Sequence, residues 1–274
     1  MVKVKFSNVI LLILFFSSFS VHSFTSFDSK FTEKQALIML FGNYDPFNRK
    51  SIWRNMRFPT NNNIDSLFSE NKNGIVKIIF FKPYKEDRKE KIFLLEKTIP
   101  SDSPFECHAC LPMLGAAVFV NEKGNWKIES QNLFLMFAGE YGESPFAKLI
   151  LIGKDKFGVS LEYDHKDDEC TNREMTLLVP YKKSIEKLFQ ETIFYNNFND
   201  CGRSIPCAAF SAKIDFVNSD NDTFWNLKVK KSGTEVSRKQ INRVVSINEE
   251  SIYQFFDGKY VRKFRNREKP NPTS

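Results

Sequence analysis

The sequence predicts a mainly β fold: antiparallel hairpins forming an irregular sandwich or a propeller-like sheet. Three observations carry this. From residue 74 onward, short apolar stretches alternate with polar turns. Five of these units read as hairpins, one closed by the strong two-residue turn signal Asp257-Gly258. The units start near residues 117, 149, 212 and 252, an uneven spacing that favours an irregular sheet over the fixed repeat of true propeller blades. Twenty-nine phenylalanines in 274 residues supply a large core.

Residues 1–23 read as a signal peptide. Lys3 and Lys5 precede the apolar run Val9 to Phe16, and Val21 and Ser23 stand at the −3 and −1 positions of the expected cut. Ser17, Ser18 and Ser20 break that run well short of the roughly 20 apolar residues a spanning helix needs. No second long apolar stretch follows, so no stable membrane span is expected in the mature chain. Residues 24–73 read as an N-terminal helix followed by an irregular segment. The helix is expected near 32–41: Thr32 can cap it, Gln35 occupies the capping-box position, and Gly42 can stop it.

A β-rich domain is expected over 74–264. Its hairpins are 74–84 with 91–99, 116–130 turning at Asn121 to Asn125, 146–164 turning through "GKDKFG", 212–233 with a long polar tip, and 251–264. The run "EMTLLV" at 174–179 is a further strand. The small residues of "LGAAVF" (114–119) suit a strand under close packing. A second helix is expected near 182–196, because Ile185, Leu188, Phe189 and Ile193 fall at helical spacing. Residues 265–274 read as a disordered basic tail.

The formal net charge is +7, two of it from Lys3 and Lys5. The densest basic stretches, 84–91 and 262–269, mix signs or sit at an end, as a solvated turn and a tail do. No nucleic-acid partner is expected on that pattern. A basic surface does favour anionic components of a cell envelope.

Histidine is scarce after the leader: only His108 and His165. Three-histidine metal sites and H-E-x-x-H are therefore excluded. No G-x-S-x-G elbow and no phosphate or dinucleotide glycine pattern is present, so no cofactor is expected. All five cysteines follow the leader, and in an exported chain disulfides are the default. The segment 201–207, "CGRSIPC", holds Gly202 and Pro206 and can close a small loop by a Cys201–Cys207 bridge. Cys107 and Cys110 form a C-x-x-C around His108. A redox centre needs a helix after such a pair, whereas Pro112, Gly115, Val118 and Val120 point to a turn and a strand. The favoured reading is a second bridge, Cys107–Cys110. That leaves Cys170 as the odd thiol, and a pairing of Cys170 with Cys107 or Cys110 stays open.

Two acidic clusters complete the set of candidates. Asp164, Asp167, Asp168 and Glu169 surround His165. Asn218, Asp220 and Asp222 alternate like the start of a calcium loop, without the glycine and distal glutamate of the full motif. Both are expected at hairpin tips, and no metal site is assigned.

The stretch Cys107, His108, Ala109, Cys110, Pro112, Leu114, Gly115, Ala116, Ala117 and Phe119, followed by Trp126, resembles the C-H-A-C-x-P-x-[IL]-G-A-A-x-F motif of uncharacterised exported bacterial proteins. The closing "YQFFDGKYV" is similar to the end segment of such β-rich proteins. The resemblance implies an exported β-rich class and no particular activity. The expectation is thus a binding or interaction protein of the periplasm, cell surface or exterior, not an enzyme, whose partner is a protein or envelope component. The alternatives are a thiol-disulfide protein using Cys107, His108 and Cys110, and an inhibitor of a host or competitor hydrolase. The inhibitor pattern S-G-x-x-Y is broken by Val236.

Overall fold

The computed structural model describes residues 30–56, 73–101, 111–139, 143–166, 170–198, 201, 206–218, 223–237 and 243–263. The expected leader and tail lie outside the described residues. Helix α1, Glu33–Phe41, opens with the expected capping box: the Gln35 N–H donates to Thr32 Oγ1, and the Thr32 N–H donates to Gln35 Oε1. It stops at Gly42, whose φ of 75° requires the freedom glycine has.

Among the described residues, everything else regular is strand. One five-stranded sheet is formed by β1 (Ser51–Trp53), β2 (Gly74–Glu86), β3 (Lys89–Pro100), β4 (Met113–Glu122) and β5 (Asn125–Phe137). An eight-stranded sheet follows: β6 (Phe146–Gly153), β7 (Lys156–Lys166), β8 (Thr171–Tyr181), β9 (Ser184–Asn196), β10 (Ala209–Val217), β11 (Asn226–Val236), β12 (Val244–Phe256) and β13 (Lys259–Lys263). Within each sheet every strand pairs antiparallel with its sequence neighbours, so each sheet is a meander.

The second helix expected near 182–196 is a strand instead, β9. Two physical reasons explain it. Lys182 and Lys183 both take positive φ, 48° and 67°, and make the tight turn that returns the chain onto β8. The far half, Thr192-Ile193-Phe194-Tyr195, is β-branched and aromatic. The helical spacing has its own origin. Leu177 pairs with Phe189 and Leu178 with Lys187, so Leu188 is the extra residue of a β-bulge. The bulge puts Leu188, Phe189 and Ile193 into one cluster, while Ile185 packs in another.

Two cores share the β6–β9 half of the larger sheet. The first lies between the sheets: Phe93, Leu95, Leu114, Ala116 and Val118 meet Val159, Leu161, Leu178 and Ile185. The second lies inside the curl of the larger sheet, where Met175, Leu177, Val179, Leu188 and Phe189 meet Leu227, Val229 and Tyr260. A third cluster covers the outer face of the smaller sheet. There Phe31 and Ala36 of the helical segment pack on Ile92, Leu94, Ala117 and Phe119. Strand β4 is therefore buried on both faces, which its small residues permit.

The inter-sheet core ends at a buried ion network. Lys91 Nζ lies 3.4 Å from Glu86 Oε1 and 2.8 Å from Glu129 Oε2. Lys156, from the other sheet, donates to Glu86 Oε1 at 3.0 Å and Asp87 Oδ2 at 2.9 Å. Tyr84 Oη lies buried there with no hydrogen-bond partner, and burial pushes its phenol far above the usual range.

Glu96 of β3 is fully buried. Thr98 donates to its Oε2 at 2.8 Å, but Oε1 has no partner. It stands directly across from Gly115, where any Cβ would collide with Oε1 and crowd the Leu133 backbone. Burial pushes its pKa up from 4.5 to about 8, so it is held protonated at neutral pH. Between those values the native state keeps a proton that the unfolded chain has released. Stability therefore falls as pH rises through that window, by on the order of 5 kcal/mol. Glu96→Gln is expected to flatten this fall, measured as urea midpoints from pH 5 to pH 9; an unchanged slope assigns the pH dependence elsewhere.

Candidate functional site

The larger sheet does not stay zipped along its length. β9 and β10 pair only between Phe194–Asn196 and Ala209–Ser211. Past that corner they part, and β10 crosses back over the first half of the sheet. The Trp225 N–H, just before β11, donates to the Ile152 carbonyl of β6 at 2.7 Å and closes the far end. Between corner and closure lies a cavity of about 610 Å³.

The cavity is an apolar trough with a polar rim. Ile150, Met175, Ile193, Ala212, Ile214 and Phe216 line it. Lys148, Ser160 and Glu162 stand along one side. Lys148 and Ser160 are cross-strand partners, as are Phe146 and Glu162, and Phe146 is exposed at the same side. Lys148 makes no ion pair with any described residue. Its volume lies within the range of sites that take small organic ligands.

Glu162 also borders a smaller, more polar hollow of about 370 Å³ beside Tyr163, Asp164 and Arg173. Arg173 grips Asp164 with two hydrogen bonds, 2.6 and 3.2 Å, and that contact raises its pKa. The Tyr163 hydroxyl donates to Glu174 Oε2 at 3.0 Å, and Gln190 Nε2 donates to the same oxygen at 2.5 Å. Burial pushes the Tyr163 phenol up to about 12, so it serves as a hydrogen-bond donor and not as a base.

The structure brings some of the sequence-derived candidates together and leaves others apart. His165 lies on β7, edge-on to Tyr163, with Nε2 3.9 Å from Glu174 Oε2, beyond hydrogen-bond reach. Asp164 is engaged by Arg173. Asn218 is exposed just after β10. Asp167, Asp168, Glu169, Asp220 and Asp222 lie outside the described residues, as do Cys107, His108 and Cys110. Cys170 is half-buried just before β8. Among the described residues no cluster of three or more His, Cys, Asp or Glu side chains is placed to hold a metal ion. No helix among them is long and apolar enough to cross a membrane.

Cys201 and Cys207 form the disulfide, with Cα atoms 4.8 Å apart. It closes the loop at the β9–β10 corner, which is where the trough begins. Asn197, buried beside it, organises the same corner. Its amide donates to the Pro206 carbonyl at 3.1 Å and its Oδ1 accepts the Ala208 N–H at 2.7 Å. The bridge was legible from spacing. The trough was not, because its walls come from β6, β8, β9 and β10, and only the curl of the sheet joins them. No family model, no curated protein and no solved structure matches the chain.

Two changes at the corner should be separable. Removing the bridge as Cys201→Ala/Cys207→Ala should cost about 2 kcal/mol of stability, since the closed loop is short. Asn197→Ala should cost about 2 kcal/mol as well, because it strands the buried Ala208 N–H and the half-buried Pro206 carbonyl. Chemical denaturation of both variants checks this; a loss near zero for Asn197→Ala would mean that the disulfide alone sets the corner.

Proposed function

We propose that this protein is an exported binding protein whose curled sheet holds a small amphiphile, with an apolar chain in the trough and an anionic head at Lys148. The cavity of about 610 Å³ is the observation that carries the reading. Its floor offers aliphatic and aromatic surface, and burying such surface is what drives an apolar chain out of water. One ammonium without an ion pair stands at its rim, where a carboxylate or phosphate head would find charge and solvent together. Export is supported by the Cys201–Cys207 disulfide, since such bonds persist in oxidising compartments. The leader-like pattern of residues 1–23 supports the same location.

A filled trough and an empty one differ in what they release and bind. Protein purified from its native cell should release an amphiphile into organic solvent, seen by mass spectrometry. It should also bind a fluorescent long-chain fatty acid. Ala212→Trp, which fills the trough, should weaken that binding by at least about tenfold. Lys148→Glu should weaken it by roughly three- to tenfold for the acid and leave a neutral alcohol analogue unaffected. No extractable amphiphile together with no probe binding would sink the proposal.

A further inference from the structure

Five tight hairpin turns crowd one end of the molecule. The ladders place them there. Lys91 pairs with Val120, which brings the β2–β3 and β4–β5 turns to one end of the smaller sheet. Val159 pairs with Leu178, and just beyond that pair the larger sheet reaches the β6–β7 and β8–β9 turns. Lys156 reaches Glu86 and Asp87 across the sheets, at 3.0 and 2.9 Å. Lys182 lies 3.9 Å from Asp257, which adds the β12–β13 turn.

The turns are charged where hairpin chemistry favours other residues. Positive φ at both central positions favours Asn-Gly. Here Asp87-Arg88 and Lys182-Lys183 hold both positions, with φ between 48° and 67°. Lysine and arginine gain nothing in that backbone region and are disfavoured by their Cβ. Lysine and arginine at these strained tips are a costly way to make a turn, which points to a use for displayed charge. Arg88, Lys123, Lys154, Lys183 and Lys259 are all exposed and none pairs with a described residue; Asp155 is the one acid of the turns in that state. Directly across from Lys259 stands Phe256, 72% exposed.

We infer that this end docks on an anionic lipid surface, with lysine and arginine at the phosphate heads and Phe256 entering the boundary between heads and chains. Charge complementarity identifies an anionic partner. Phe256 decides which one: a lipid interface takes up an aromatic ring beside cations, whereas a soluble polyanion leaves it in water. Docking does not require the trough to be occupied.

The test is co-sedimentation of protein purified from its native cell with vesicles of phosphatidylcholine alone or mixed equally with phosphatidylglycerol. Binding is expected on the mixed vesicles only, weakening as salt rises. Lys182→Asn/Lys183→Gly should bind on the order of 30-fold more weakly, for two lost charges. The same variant should melt about 2–4 °C higher, because it relieves the turn, so its loss of binding is not unfolding. Phe256→Ser should weaken vesicle binding and leave binding to dextran sulfate unchanged. Equal binding to both vesicle types, full binding by Lys182→Asn/Lys183→Gly, or a Phe256→Ser variant that sediments like the parent would each overturn the assignment, the last in favour of a soluble polyanion.

Discussion

Burial of the β7–β8–β9 segment on both of its faces is the constraint on which the rest of the structure depends. On one face Val159, Leu161, Leu178 and Ile185 hold the smaller sheet. On the other, Met175, Leu177, Val179, Leu188 and Phe189 hold the returning half of the larger sheet. A single sheet cannot cover both, so the chain supplies one cover before this segment and one after it. The β9 bulge belongs to this arrangement. By rephasing the strand at Leu188 it sends Ile185 to one core and Phe189 to the other.

The trough is the residue of that packing. β10 must leave β9 in order to cross back, and where it leaves, the inner faces of β6, β8 and β9 lose a direct cover. The corner that allows the departure is held twice, by the Cys201–Cys207 bond and by Asn197. A disulfide there restrains the one place in the larger sheet where the backbone ladder thins to three pairs. The same geometry that leaves an apolar surface partly uncovered thus fixes the walls around it.

Polar groups sit where the sheets end or where a side chain has no room to turn away. Lys91, Glu86 and Lys156 close the inter-sheet core with paired charges, which burial tolerates only when each charge has partners. Glu96 has no cationic partner and is held neutral instead. Its tolerance depends on Gly115. The glycine of "LGAAVF" vacates the space that the Glu96 carboxyl fills. Small residues in that stretch signal close packing, but the partner of that packing lies across the β3–β4 ladder and has no local signature.

By itself the sequence determined the class of the fold, the capping box and stop of α1, the placing of the five hairpins, and the short-loop disulfide. Each depends on residues within a few positions of one another, where capping, turn chemistry and loop closure act. Tertiary structure alone decided that residues 184–196 are a strand. Local spacing cannot distinguish a helical stripe from a bulged strand whose apolar residues serve two different cores. It alone decided the trough too, since Ile150, Met175 and Ile214 are far apart in the chain and meet only because the sheet curls. The gathering of charged turns at one end follows the same logic: four of the five turns were readable from their own residues, the Lys182-Lys183 turn was hidden in the expected helix, and strand register and the packing of one sheet on the other brought them together.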